Sequence, residues 1–156
     1  MFADLRWLRE AIELSRCCPV SLHAYSVGAI IVDARGDRLS DGYSREKDEH
    51  VHAEESALVK LRTADSRLHG ATIYSSLEPC GERKSRPLTC TQLILRSGIR
   101  RVVFAYREPD LFVRRSQGAK LLASAGLEVI ELSRLADQVI AINSHLKLGE
   151  DESWQK

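Results

Sequence analysis

The chain has 156 residues, the length of one domain rather than two, and its 44% hydrophobic and 29% charged residues exclude a disordered protein. The formal charge of +1 gives no general attraction to nucleic acid or to a membrane surface, so we expect neither as a partner. The longest apolar run, 27–32, is too short to cross a bilayer. Residues 1–6 show no basic region followed by an apolar stretch, so we expect no signal peptide. We therefore expect a cytoplasmic domain over 1–149 with a flexible tail at 150–156.

The chain begins with an amphipathic pattern. Leu5, Leu8 and Ile12 recur at helical spacing and predict a first helix that is stopped by Pro19. The β-branched stretch 27–32 predicts a buried strand, and a turn connects it to a hairpin partner at 38–43. Helices and strands then alternate: a helix at 52–61, a strand at 71–75, a helix at 89–97 capped by Thr89, a strand at 101–105, a helix at 116–125, a strand at 127–130, and a last helix with Ser133 as its cap.

The alternation predicts an α/β fold. The first two strands form an antiparallel hairpin, whereas the later strands are joined through helices and so run parallel. The ten-residue helical stretch 116–125, closed by Gly126, leaves no room for a tight hairpin between strands four and five. We expect a three-layer α-β-α sandwich with one five-stranded mixed sheet, in which strands four and five are parallel.

Three residues have the chemistry of a metal site. His52 begins a predicted helix, Cys80 follows a strand, and Cys90 begins the next helix, so all three are expected near one edge of the sheet. One imidazole and two thiolates suit Zn²⁺, and three protein ligands leave one position for water. Glu54, two residues after His52, is the candidate general base for that water. Residues two apart diverge around a helix, so His52 and Glu54 converge only if the helix begins near His52.

These residues match a known signature. His52-Ala53-Glu54 followed by Pro79-Cys80 resembles the zinc-dependent, cytidine-deaminase-like superfamily, whose motif is H-x-E and then P-C-x-x-C. Nine residues separate Cys80 from Cys90 instead of two, which resembles the deaminase domain of the bifunctional riboflavin-biosynthesis enzymes. The stretches 85–90, 101–109 and 143–147 resemble that family as well.

The resemblance implies an activity and a set of roles. It implies hydrolytic deamination of a small aminopyrimidine, with Glu54 moving the protons and the N–H of Ala53 contacting the ring carbonyl. The favoured substrate is a riboflavin-precursor-like diaminopyrimidine nucleotide. The alternatives are a cytosine-type base, nucleoside or nucleotide of another pathway, deamination of tRNA or single-stranded DNA, and a zinc-stabilised module without catalysis. A homo-oligomer is expected, with a dimer favoured.

The substrate-reading residues depart from the riboflavin pattern. The family usually has N-P-P-V-G before the first strand, where this chain has 24–28 without the Asn, and the approach 48–54 lacks the usual Gly. We also expect no reductase domain in a chain of this length.

Four further residues are candidates for binding the substrate. Arg83, Lys84 and Arg86 lie between the two cysteines and either hold a substrate phosphate or form a solvated basic loop. Glu78 either supports the metal site or caps the loop.

Overall fold

The computed structural model describes residues 2–62, 64–83, 86–107 and 117–146. The expected tail at 150–156 lies outside these residues. The described chain contains five helices and five strands, in the order α1 (Phe2–Leu14), β1 (Gly28–Val32), β2 (Arg38–Tyr43), α2 (Ala53–Val59), β3 (Thr72–Leu77), α3 (Cys90–Ser97), β4 (Arg101–Tyr106), α4 (Gly118–Ser124), β5 (Glu128–Glu131) and α5 (Ala136–Ile142). Short 3-10 turns follow α1, precede β3, and flank α5.

The strands form one mixed sheet in the order β2-β1-β3-β4-β5. β1 is antiparallel to both β2 and β3, whereas β3, β4 and β5 run parallel. The prediction that strands four and five are parallel is therefore confirmed. Because β1 opposes β3, the start of β1 and the ends of β3 and β4 share one edge of the sheet.

Helices cover both faces of the sheet. α2, α3 and α4 pack on one face through Ala57, Ile94 and Leu122. On the other face, α1 and α5 pack through residues that include Leu8 and Val139. This is the expected three-layer sandwich. Among the described residues, no helix is both long enough and apolar enough to span a membrane.

Several predicted boundaries differ from the structure. β3 extends two residues beyond the predicted end at Ser75, and the last helix begins at Ala136 rather than next to Ser133. Ser133 instead begins a 3-10 turn, and no side-chain cap precedes α5. Thr89 does cap α3, because its hydroxyl accepts a hydrogen bond from the N–H of Gln92 at 3.1 Å. The predicted start of α4 at Ser116 lies outside the described residues.

A buried polar cluster ties α1 to the sheet. The guanidinium of Arg101 on β4 donates to both carboxylate oxygens of Asp4 at 2.7 Å, and the Tyr74 hydroxyl donates to the same carboxylate at 2.8 Å. The hydrogen bonds from Arg101 lower the pKa of Asp4 below its ordinary value of 3.8. Burial, assisted by Asp4, raises the pKa of Tyr74 to about 12. Asp4 therefore stabilises the fold as a charged group.

Asp4→Asn should lower the free energy of unfolding at pH 7 by about 2 kcal/mol, since it removes a charged acceptor from Arg101 and Tyr74. The folded-state pKa of Asp4 is depressed, so its stabilisation is present above about pH 4 and is lost as the pH falls further. Urea denaturation between pH 7 and pH 3 should show the difference between variant and wild type shrinking in that range. Glu13→Gln, in an exposed pair with Arg16, is the control and should change little. An equal loss in both variants would contradict the assignment.

Candidate metal centre and active site

Three ligand-type side chains converge at the sheet edge where β3 ends. Among the described residues, His52, Cys80 and Cys90 place one nitrogen and two sulfur atoms within 4.8 Å of one another. The Cys90 sulfur lies 3.3 Å from Nδ1 of His52. These are the three residues that the sequence predicted as zinc ligands, and the structure brings all three together.

His52 lies at the start of α2, the position from which it and Glu54 can point to the same site. It is the N-cap of α2, with an extended backbone at φ −88° and ψ 160°, and the helix begins at the next residue. Glu55 in the first turn accepts from the His52 N–H at 3.4 Å, a contact typical of a capping box. The structure thus meets the requirement that the helix begin near His52.

The first turn of α3 fixes the other two ligands. The Cys90 N–H donates to the Cys80 sulfur at 3.2 Å. The Thr91 hydroxyl and N–H both donate to the Cys80 carbonyl, at 2.7 and 3.2 Å. Cys80 therefore accepts from N–H groups that the start of a helix leaves without helical partners.

The two cysteine side chains shift each other's pKa in opposite directions. The hydrogen bond with Cys90, assisted by the nearby His52, lowers the pKa of Cys80 to about 4. The same hydrogen bond raises the pKa of Cys90 well above its usual value, and burial and the negative charge of Glu54 add to this rise. The donor set is two cysteine sulfurs and one imidazole nitrogen.

This donor set fits zinc. Nitrogen and sulfur donors are the ligands that Zn²⁺ prefers, and three protein donors are characteristic of catalytic sites that keep a fourth position for water. Cys90 is fully buried, and His52 and Cys80 are partly buried. Residues His52, Cys80 and Cys90 are positioned to hold the ion.

A carboxylate lies next to the ligands but outside the ligand set. Glu54 is in the first turn of α2 and is 3% exposed. The fully buried hydroxyl of Ser75 on β3 donates to its Oε1 atom at 2.6 Å. A buried carboxylate that is held by hydrogen bonding and lies near a zinc site has the position of a general base.

Two glycines allow the supporting elements to approach the site closely. A Cβ atom at Gly42 on β2 would lie 2.5 Å from the Ala53 carbonyl oxygen, at the start of α2. A Cβ atom at Gly118 on α4 would lie 1.8 Å from the Pro79 carbonyl oxygen, next to Cys80. Backbone therefore packs directly on backbone behind the segments that carry His52 and Cys80.

The loop between the two cysteines is tied to the segment before α2. The Arg83 side chain, only 2% exposed, donates to the Glu55 carboxylate at 3.0 Å and to the His50 carbonyl. Arg86, 33% exposed, pairs with Asp48 and lies 3.8 Å from Glu55. Both predicted arginines are therefore near the site and contact carboxylates there. Lys84, the third predicted cation, lies outside the described residues.

The two remaining candidates, Ala53 and Glu78, lie at the start of α2 and just after the end of β3. Ala53 is the first residue of α2 and is fully buried, and the N–H at that position has no partner within the helix. The carboxylate of Glu78 is completely buried and pairs with Arg107, after β4, at 3.1 Å. The Glu78 N–H also donates to the Tyr106 carbonyl, so Glu78 joins the ends of β3 and β4.

Sequence reasoning missed Ser75 and Glu55. The signal for Ser75 was present, since a hydroxyl in the interior of a buried strand needs a partner. The signal for Glu55 was weaker: a glutamate three residues after the predicted helix start is a common capping residue. Its contact with Arg83 spans 28 residues and depends on the path of the loop.

Comparison with known proteins agrees with this site. Residues 1–106 match the family described as the cytidine and deoxycytidylate deaminase zinc-binding region. The chain belongs to this family of zinc deaminases. It is similar to the diaminohydroxyphosphoribosylamino-pyrimidine deaminase of Schizosaccharomyces pombe, with 38% identity over 143 residues, which cover 89% of this chain and 35% of the relative. It is also similar to the riboflavin biosynthesis protein RibD of Aquifex aeolicus, with 40% identity over 127 residues, which cover 81% of this chain and 34% of the relative.

Solved structures also show similarity to riboflavin-biosynthesis deaminases. The Rib2 deaminase of Aspergillus oryzae, in a complex described as containing DARIPP, aligns with a TM-score of 0.71 and 27% identity over 93% of this chain and 96% of that one. RibD of Acinetobacter baumannii aligns with a TM-score of 0.76 and 28% identity over 94% of this chain and 40% of that one. The chain spans about a third of the length of the two curated relatives described above.

Proposed function

We propose that this chain is a zinc-dependent hydrolytic deaminase and that its substrate is a diaminopyrimidine nucleotide of the riboflavin-precursor type. The observation that carries the proposal is the convergence of His52, Cys80 and Cys90 within 4.8 Å, beside the buried carboxylate of Glu54. A purely structural zinc site closes its fourth position and needs no general base, so this arrangement favours catalysis.

The reaction replaces a ring amine by a carbonyl oxygen from water. His52, Cys80 and Cys90 would hold the zinc ion, which would supply Lewis acidity and lower the pKa of water towards neutrality. Glu54 accepts one proton from water as the water oxygen bonds to the ring carbon, and delivers it to the ring nitrogen. Glu54 then accepts the second proton from the new hydroxyl group and delivers it to the amine, while the C–O bond becomes a carbonyl. The C–N bond breaks in this step, ammonia leaves, and Glu54 returns to its starting state.

One residue is proposed to contact the ring, and two are proposed to support the pocket around it. The Ala53 N–H, at the start of α2, is suited to donate to the ring carbonyl, because it has no acceptor within the helix. Glu78 is proposed to support the pocket wall by fixing the loop before Cys80, since its buried carboxylate pairs with Arg107. Arg83 is proposed to act with Glu55 in holding the loop between the cysteines near the substrate.

The nucleotide form of the substrate is supported by the relatives and by the basic loop. The relatives include a deaminase named for a phosphoribosylamino-pyrimidine and a deaminase whose structure is described as a DARIPP complex. Arg86 is the more exposed of the two arginines, and we assign it, together with Lys84, to the substrate phosphate. A cytoplasmic location and a homo-oligomer, with a dimer favoured, are further predictions, and light scattering tests the latter.

Ammonia release across a panel of substrates tests the proposed function. The panel contains a diaminopyrimidine ribonucleotide, its dephosphorylated form, cytosine, cytidine, deoxycytidylate and single-stranded oligonucleotides. We expect the highest kcat/KM for the diaminopyrimidine nucleotide. Preferential turnover of a cytosine compound would overturn the proposed substrate and assign the chain to the cytosine-type deaminases of the family. Absence of ammonia release from every compound by zinc-loaded protein would overturn the deaminase assignment.

Arg86→Met tests the phosphate assignment. Loss of one charge-assisted contact should raise KM for the phosphorylated substrate by roughly tenfold or more and leave KM for the dephosphorylated form unchanged. Arg96→Met, an exposed substitution on α3, is the control and should change neither constant. Equal KM values for wild type and Arg86→Met on both substrates would show that the phosphate is held elsewhere.

A further inference from the structure

Two serines lie in the middle of the sheet. Ser75 and Ser76 are on β3, between β1 and β4, and both are fully buried. Ser75 pairs with Ala29 on one side and with Phe104 on the other. A hydroxyl in such a place is costly unless it has a hydrogen-bond partner, so the partner of each serine indicates why it is tolerated there.

The two hydroxyls have different partners on opposite faces. Ser76 accepts a hydrogen bond from the Gly28 N–H at 3.1 Å, which is a contact within the sheet. Ser75 shares its face with Ile73 and Leu77, in the cluster packed against α2, and its hydroxyl donates to Oε1 of Glu54 at 2.6 Å. On this face of β3, Ser75 is therefore a polar residue between two apolar ones, and it lies opposite the Glu54 carboxylate.

We propose that Ser75 is a positioning residue for deamination, an inference that rests on the proposed function. Glu54 has a flexible side chain and must serve the water, the ring nitrogen and the amine in turn. A hydrogen bond from Ser75 to Oε1 fixes the plane of the carboxylate and occupies one oxygen. The other oxygen then accepts and returns the proton at every step, without a search among rotamers.

An isosteric pair of variants isolates the hydroxyl. Ser75→Thr keeps the hydroxyl, whereas Ser75→Val has nearly the same shape and lacks it, and both residues suit a β-strand. We expect Ser75→Val to lower kcat by about 10²-fold relative to Ser75→Thr, with KM within about threefold, because misplacement of a catalytic group costs about this much. Zinc content and melting temperature should be similar in the two variants, since neither depends on the Ser75 hydroxyl in this proposal.

Crystal structures of the two zinc-loaded variants give a readout that does not depend on turnover. The Glu54 carboxylate should keep the wild-type position in Ser75→Thr and should rotate or occupy several positions in Ser75→Val. An unmoved carboxylate, or equal kcat values for the two variants, would overturn the inference. If wild-type protein deaminates nothing, the proposed function fails, and the carboxylate position still decides the role of Ser75.

A second pair of variants tests the hydroxyl without adding volume to the buried site, which lowers the risk of misfolding. Ser75→Ala removes the hydroxyl without adding volume, and Ser76→Ala is its matched control, being equally buried on the same strand without contacting Glu54. We expect the loss of kcat only in Ser75→Ala. Equal losses in the two variants would mean that buried hydroxyls matter here only for packing, which would contradict the proposal.

Discussion

Cys90→Ser should purify with almost no zinc and with a melting temperature lowered by about 10 °C. Cys90 is fully buried, 3.3 Å from His52, and its N–H contacts the Cys80 sulfur, so the substitution removes one ligand and disturbs the pair that remains. A metal that binds only the folded state at about a thousandfold excess over its Kd contributes about 4 kcal/mol. In a domain of this size, that energy corresponds to a shift of about 10 °C.

Metal analysis and thermal denaturation measure this result, and the chain offers a matched control. Cys17 is an exposed cysteine, so Cys17→Ser should retain about one zinc per chain and the wild-type melting temperature. Stripping the wild type with a chelator should reproduce the Cys90→Ser melting temperature. Stoichiometric zinc in purified Cys90→Ser would show that the ligand set is wrong.

The arrangement of the sheet could be predicted because it follows from local signals and chain connectivity. The glycines at 98 and 126 end their helices or turns with φ near +90°, and each helix between consecutive strands forces a parallel crossover. The end of β3 could not be predicted in this way. Ser76 was predicted to follow the strand, but its hydroxyl accepts a hydrogen bond from the Gly28 N–H, which makes the residue acceptable within the sheet.

The metal ligands of the candidate site could be predicted from the sequence, whereas the contacts of the surrounding loop could not. His52, Cys80 and Cys90 were predictable because they carry donors that suit zinc and were expected at helix starts and a strand end that share one edge of the sheet. The contacts of Arg83 were not predictable, because the sequence is equally consistent with a phosphate ligand and with a solvated side chain at this position. In the structure, its burial against Glu55 and the His50 carbonyl links the two segments that carry the metal ligands. Such a long-range contact depends on the path of the loop between the two cysteines, which local sequence signals do not determine.

Glu54→Gln should lower kcat by at least about 10⁴-fold and leave zinc content and melting temperature near those of wild type. Glu54 is not among the three ligand residues, so the metal set is untouched. The amide of glutamine has nearly the shape of the carboxylate, and its oxygen can still accept the hydrogen bond from Ser75. It cannot accept a proton from water. General acid–base catalysis contributes about 10²–10⁴-fold for one step, and Glu54 serves several steps in turn.

Single-turnover and steady-state ammonia release from the substrate that the panel identifies measure this effect. Glu49→Gln is the control: it is the same substitution five residues earlier, on a carboxylate that is 83% exposed, and it should leave kcat unchanged. Substrate affinity of Glu54→Gln, measured by calorimetry, should be close to that of wild type, because the amide still offers hydrogen bonds to the ring. If Glu54→Gln keeps zinc and turns over within tenfold of wild type, the proton is moved by another group, and the role of Ser75 as a support for Glu54 would fall with it.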